Sequence, residues 1–290
     1  MAVGDLITSD YQLEVNETLL LGAGTVYDII SMEGFDLPSI RSGDTAKTLR
    51  NGYWAGSDLL DGRTITLELT VSSPDDDTQA AALDALTVAF SPTSGEQTFA
   101  FQLPGYVKRF VNARVRRINI PVSWEYQFHL PTVTIELYAT DPLIYECANH
   151  GIVIGHQTSG GGLTFSAVPS FTFGTMPVGG RLTVSNVGTY ATNPKVTFFG
   201  PLTNPSITVE STGEFLALKK DLQAGDYVEV DFTYHRVYLN GSQNFLDYSI
   251  LDLASTWFTL PVGDTELVFE HSGVDDAKAH LNLEYRSAWV

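Results

Sequence analysis

Four stretches of this chain alternate apolar and polar residues with a period of two, and that pattern limits the fold more than any other feature. In Thr64 to Val71, Ile65, Leu67, Leu69 and Val71 alternate with Thr64, Thr66, Glu68 and Thr70. Thr132 to Ala139 repeats the pattern with Val133, Ile135, Leu137 and Ala139 inward. Tyr227 to Tyr234 places Val228, Val230, Phe232 and Tyr234 inward, and Leu281 to Arg286 does so with Leu281, Leu283 and Tyr285. Successive side chains of a strand point to opposite faces, so each stretch reads as a half-buried strand. Alternation this clean points to antiparallel sheets with one wet face. The 13 Tyr and 16 Phe also favour strands over helices.

Turn residues are spent on shaping loops. Between Asn186 and Asn204, Gly188, Pro194, Gly200 and Pro201 surround one short apolar strand, Val196 to Phe199. Glycine supplies backbone angles that other residues avoid, and proline removes a backbone donor. Asn240-Gly241, after Arg236 to Leu239, reads as a hairpin turn. One helix is expected over about 74–90. Ser73-Pro74-Asp75-Asp76 gives a serine cap, a proline in the first turn and acids at the positive helix end. Ala80, Leu83, Leu86 and Phe90 then recur at helical spacing before Ser91-Pro92. The fold class expected is therefore all-β, mainly β with one helix.

The chain has 290 residues, enough for two domains. Gly151, Gly155 and Gly160-Gly161-Gly162 interrupt the pattern between Glu146 and Leu163, which places a boundary there. The domains are set at 1–148 and 149–290. The second opens on Phe165, Phe171 and Phe173 and then carries strands at the short spacing of a β-sandwich.

The net charge of −18 excludes a chain built to grip nucleic acid, which needs basic groups to displace counterions. It is compatible with a passage through which nucleic acid slides. Cys147 is the only cysteine, so neither an internal disulfide nor a multi-cysteine zinc site is possible, and it reads as a small buried hydrophobe. The first residues lack the basic and apolar regions of a signal peptide, and no apolar run is long enough to span a bilayer.

Tests for chemistry come back empty. No phosphate-binding glycine loop and no Gly-x-Ser-x-Gly elbow occurs. The six histidines form no His-x-x-x-His pair, and Asp75 to Asp77 reads as a helix start rather than a cation loop. No catalytic residue, cofactor or metal is expected. His280, Asn282 and Glu284 would share a strand face, as in the His-x-Asn-x-Arg row with which galectins read sugar, but Glu284 stands where arginine would. Lys108, Arg109, Arg114, Arg116 and Arg117 hold five of the nine bases in residues 1–148. They read either as a docking strip for an acidic neighbour, including another copy of this chain, or as a solvated edge strand.

A wider set of residues carries a resemblance. Arg50-Asn51-Gly52-Tyr53, Gly62-Arg63, the single helix and Asp141-Pro142 with Tyr145 come in the first half. In the second come Asn186-x-Gly188, Asn193-Pro194 with Gly200, Gly225-Asp226, Ser255-x-Trp257, and the ending Tyr285-Arg286 with Trp289. In this order and spacing the chain resembles the distal tail proteins of long, non-contractile-tailed bacteriophages, the siphovirus-type tail components. The resemblance implies a first domain that closes into a hexameric ring and a galectin-like second domain. It implies a structural hub of the tail tip or baseplate, without enzymatic activity, in the virion tail and assembled in the host cytoplasm. The tail tube, tip hub and tape measure proteins would be partners, with DNA crossing the channel unbound and no membrane insertion. The other reading is a carbohydrate-binding host-adhesion module, whose exposed aromatic platform would be Trp257 or Trp289.

Overall fold

In a computed structural model of the chain, residues 2–155, 180–242, 248–272 and 278–290 are described. Two compact units result: Met1–Ala148 with Trp289–Val290, and Asn149–Ala288. Phe165, Phe171, Phe173 and Gly160 to Gly162 lie outside the described residues.

The first unit contains strands β1 (Gln12–Val15), β2 (Leu19–Gly22), β3 (Tyr27–Glu33), β4 (Ile40–Ser42), β5 (Thr45–Ala46), β6 (Tyr53–Trp54), β7 (Asp58–Leu60) and β8 (Arg63–Val71). Helix α1 (Asp76–Ala89), β9 (Gln97–Gln102), β10 (Arg109–Asn119), α2 (Trp124–Gln127), β11 (Thr132–Ala139) and β12 (Ile144–Glu146) follow. The main sheet runs β2-β1-β9-β10-β11-β8-β3. The alternation of β8 and β11 holds as read: Ile65, Leu67, Leu69, Val71, Val133, Ile135, Leu137 and Ala139 are all buried in one core.

Helix α1 departs from its expected start. Its cap is Asp75, whose carboxylate accepts from the Thr78 amide at 2.8 Å, and not Ser73. Pro74 lies before the cap and pushes Ser73 toward extended backbone, so the next short acceptor takes the role. Ala80 is exposed, and Gln79 takes its place on the buried face with Ala82, Leu83 and Leu86. Gln79 Nε2 donates to the Tyr126 carbonyl at 3.2 Å, which secures α2, a second helix that the single-helix expectation did not include.

Charged side chains pin the first residues. Glu14, 1% exposed within β1, accepts the Gly4 amide at 2.8 Å and the Leu6 amide at 2.7 Å. Lys108 Nζ donates to the carbonyls of Gly4 at 2.9 Å and Ile7 at 2.7 Å. The two ends of the local backbone polarity are thus met by opposite charges. Burial of a carboxylate is tolerable here because both of its oxygens receive N–H donors.

The second unit is a β-sandwich. Its strands are β13 (His150–Gly155), β14 (Arg181–Asn186), β15 (Lys195–Phe199), β16 (Ser206–Val209), β17 (Phe215–Ala217), β18 (Tyr227–Asp231), β19 (Arg236–Leu239), β20 (Gly263–Glu270) and β21 (His280–Tyr285). One sheet runs β13-β21-β15-β18-β19 and the other β14-β20-β16-β17. Val196, Phe198 and Leu283 from the first meet Ile207, Leu267 and Phe269 from the second in a shared core. Tyr234 is exposed rather than inward. The strand stops at Asp231, whose carboxylate accepts the amides of Thr233 and Tyr234 at 2.9 and 3.2 Å and turns the chain. The β18–β19 hairpin therefore turns there. Asn240-Gly241 forms the expected turn after β19, at φ +53° and +68° with the Ser242 amide on the Leu239 carbonyl at 3.1 Å, and the residues it would lead into lie outside those described. Asn240 also receives the Tyr227 amide on Oδ1 at 2.8 Å and closes the open end of the β18–β19 hairpin.

Two outcomes follow. Glu14→Ala leaves two amides without acceptors and lowers the stability of the first unit by about 2–4 kcal/mol, read by urea unfolding and by faster amide exchange at Gly4 and Leu6. The Asp75 carboxyl is held below its ordinary value, first by the Thr78 amide and then by the Thr78 hydroxyl. A depressed carboxylate stabilises above its unfolded pKa and loses that contribution as pH falls through the folded value. Protection of the Thr78 amide should therefore fall between about pH 5 and pH 2, while Asp75→Ala should show low protection throughout.

Candidate assembly surface

Residues 36–62 leave the main sheet as a two-stranded arm. Ile40 pairs with Leu60 through β4 and β7, and Thr45 with Trp54 through β5 and β6. The apex turns through the Lys47 amide on the Gly52 carbonyl at 3.0 Å. Gly52 sits there at φ +93°, in the region glycine enters without strain. Ile40, Leu49, Tyr53, Trp54 and Leu59 are all exposed, Leu49 at 99%. Lys47 Nζ lies 4.9 Å from the Trp54 ring centroid. An isolated two-stranded ribbon is marginal in water, and exposed apolar residues in series mark an interaction surface. Arg50-Asn51-Gly52-Tyr53, part of the resemblance, lies at the apex of this arm, which the pattern of apolar residues does not mark. The available signal was the cluster Gly43, Gly52 and Gly56 around a Tyr-Trp pair.

The root of the arm is built on Arg63, which is 2% exposed. Its Nε donates to the Pro142 carbonyl at 2.9 Å, and its Nη1 to the carbonyls of Gly34, at 2.6 Å, and Asp36. Burial lowers the guanidinium pKa, and the charge of Asp36 opposes that shift. Gly34 has φ +90°, and a Cβ there would lie 2.0 Å from the Thr64 carbonyl oxygen. Asp141 holds the other side of the root, accepting the Leu143 amide at 3.0 Å and the Tyr145 hydroxyl at 2.7 Å. Arg63, Asp141 and Pro142, singled out by resemblance, thus meet at one place.

The five bases of 108–117 do not act as one strip. Lys108 holds the first residues, as described above. Arg109 stacks 3.9 Å from the Trp289 ring centroid and 4.7 Å from that of Tyr106, and burial lowers its pKa. Arg114, Arg116 and Arg117 are exposed. Arg116 lies 5.2 Å from the Tyr138 ring centroid, and Arg117 is 3.9 Å from Glu136 in a pair that water weakens. Strand β10 pairs with β9 over Arg109–Ala113 and with β11 over Arg114–Asn119, so the stretch that carries the three exposed arginines is laddered to β11 alone.

In the second unit the remaining signature residues shape backbone. Asn186, 1% exposed, donates to the carbonyls of Tyr190 and Leu260 and accepts the Gly188 amide. A Cβ on Gly188 would lie 1.9 Å from the Ala288 carbonyl oxygen, and one on Gly200 2.2 Å from that of Gln223. The Pro194 carbonyl accepts the Phe232 amide, and Gly225 turns the chain at φ +95°. His280, Asn282 and Glu284 do share a face of β21, but Glu284 accepts from Asn282 at 3.1 Å and from Asn149 at 3.3 Å. Trp257 is partly buried, edge-on to Phe232 and stacked on His235, and Trp289 is buried. Both are engaged in packing, so neither offers the open platform a sugar ring would need. Among the described residues no group of three or more His, Cys, Asp or Glu could hold a metal ion. No helix among them is long and apolar enough to cross a membrane.

Residues 187–289 match the family model described as siphovirus-type tail component, C-terminal domain. No curated protein sequence matches the chain. The solved structure of SPP1 Dit (gp 19.1), titled a paradigm of hub adsorption apparatus in Gram-positive infecting phages, is similar over 96% of this chain and 99% of its own. Its TM-score is 0.66 at 14% identity. A chain of the phage P2 baseplate in its activated conformation with Ca is similar over 94% and 97%, with a TM-score of 0.53 at 9% identity. The same baseplate with Sr gives a TM-score of 0.50 at 10% identity. Sequence similarity to siphovirus-type tail components thus covers residues 187–289, and the fold of nearly the whole chain is similar to that of SPP1 Dit.

Arg63→Met keeps much of the volume and removes donors to three carbonyls. It should cost the first unit about 3 kcal/mol or more and speed proteolytic cleavage within 37–61. Unchanged cleavage would mean that the guanidinium does not hold the arm.

Proposed function

We propose that this chain is a structural, non-catalytic hub component of a phage tail tip or baseplate. Its first unit assembles into a closed ring of about six copies, and its second unit, a galectin-like sandwich, serves as the attachment platform for tip and adhesion proteins. The ring joins the tail tube to the tip, in contact with the tape measure and tip hub proteins, around a channel that DNA crosses. The protein would be assembled in the host cytoplasm and reside in the virion tail. The observation that carries this reading is likeness over 96% of the chain, and 99% of its counterpart, to a protein described as a hub of a phage adsorption apparatus. The exposed arm supports it, because an apolar ribbon of this kind is stabilised by a neighbour. The net charge of −18 fits a wall along which a polyanion slides.

Light scattering behind a sizing column, across protein concentration, tests the reading: a species of about six chains is expected, with an annular outline in electron micrographs. A monomer at every concentration counts against it. Arg114, Arg116 and Arg117 are assigned to the subunit contact within the same ring. Reversing their charge together should weaken assembly without lowering the melting temperature, and assembly equal to wild type would remove them from the interface.

A further inference from the structure

The connection between β10 and β11 is an exposed apolar knob. Val122 is 82% exposed, Trp124 68% and Phe128 66%, and the two rings meet edge to face at 5.8 Å between centroids. The knob is held in place from below. Tyr126 packs against the core, its carbonyl accepts from Gln79, and His129 Nε2 lies 2.9 Å from Asp76 Oδ1. The Ser73 amide donates to the His129 carbonyl at 3.2 Å. A rigid aromatic pair of this kind loses little conformational freedom on docking, and Trp is enriched at the centres of interfaces.

The carboxylates at the helix start that holds it are exposed and Glu125 of the knob is half-buried, while Arg116 and Arg117 stand just before it at the end of β10. The start of α1, tied to the knob through Asp76, presents Asp75, Asp76 and Asp77, and α2 adds Glu125. Residues 118–131 contain no Lys or Arg. The apex of the arm has the opposite character. Lys47 and Arg50 lie at its tip, with Asp44, which accepts the Gly56 amide at 2.8 Å, and Asp58 on its flanks, and the apex exposes Leu49, Tyr53 and Trp54.

We propose that the arm apex of one copy docks on the 120–131 knob of the next. The contact joins apolar to apolar and basic to acidic. It uses two different patches present on every copy, which makes it a head-to-tail contact that closes into a ring when the rotation allows. This rests on the ring reading above and names the surfaces that would build it.

Charge exchange tests it on the full chain, with the melting temperature as a control for folding. One variant carries Lys47→Glu and Arg50→Glu, the other Asp77→Lys and Glu125→Lys. Each alone should need at least about tenfold more protein to assemble. An equal mixture should recover wild-type assembly, because each reversed arm then meets a reversed knob, and so should one chain carrying all four changes. Variants that assemble like wild type, or a mixture no better than its parts, would overturn the contact while leaving the ring reading intact. A wild-type chain that never assembles would overturn both.

Discussion

A single buried guanidinium, that of Arg63, organises the first unit. It draws the carbonyls of Gly34 and Asp36 on one side and Pro142 on the other toward the start of β8. Those carbonyls close the ends of β3 and β11, the two strands that flank β8. Lysine, a compact ammonium, lacks the planar fork that reaches separate acceptors in fixed directions. No apolar residue would meet the carbonyls at all. The arm begins where the guanidinium sits, so an exposed and marginal ribbon is anchored by one of the least exposed charges in the chain. The arrangement separates what must be rigid from what must be free to meet a neighbour.

Much of the fold was legible because burial writes itself into period. Strands β8, β11 and β21 read directly from alternation, since each has one face on a core. The helix was legible in extent and less so in detail. Its cap moved to Asp75, and a glutamine, Gln79, occupies a buried position that an apolar pattern cannot mark. Elements that carry little burial left no trace. The strands of the arm are two or three residues long and mostly exposed, and α2 has no fully buried residue, only Tyr126 resting partly against the core. The basic run of 108–117 was visible, but charge alone does not say whether an arginine faces solvent, as Arg114 does, or lies against a ring, as Arg109 does. The likeness in order and spacing reached further, because it bound together residues such as Arg63 and Pro142 that meet only in the fold.

The acidic surface has a physical role in the same scheme. Copies that repel at a distance stay soluble, and only short-range apolar contact at the few basic sites overcomes that repulsion. Arg114, Arg116, Arg117, Lys47 and Arg50 account for five of the nine bases in residues 1–148, against 20 acids. Positive charge is scarce enough that its placement restricts which surfaces can approach.

The chain passes from the first unit to the second between Ala148 and Asn149, and Trp289 and Val290 return to the first. Trp289 lies in a small cluster with Phe101 and Ile144 and beneath Arg109. The second unit is therefore an insertion rather than an appendage. A gene inheriting a different module by recombination must change over at two joints, one on each side of the insert. A single crossover inside the insert would replace the final tryptophan along with the module, so the incoming tail would have to supply a residue that fits the recipient's aromatic cluster.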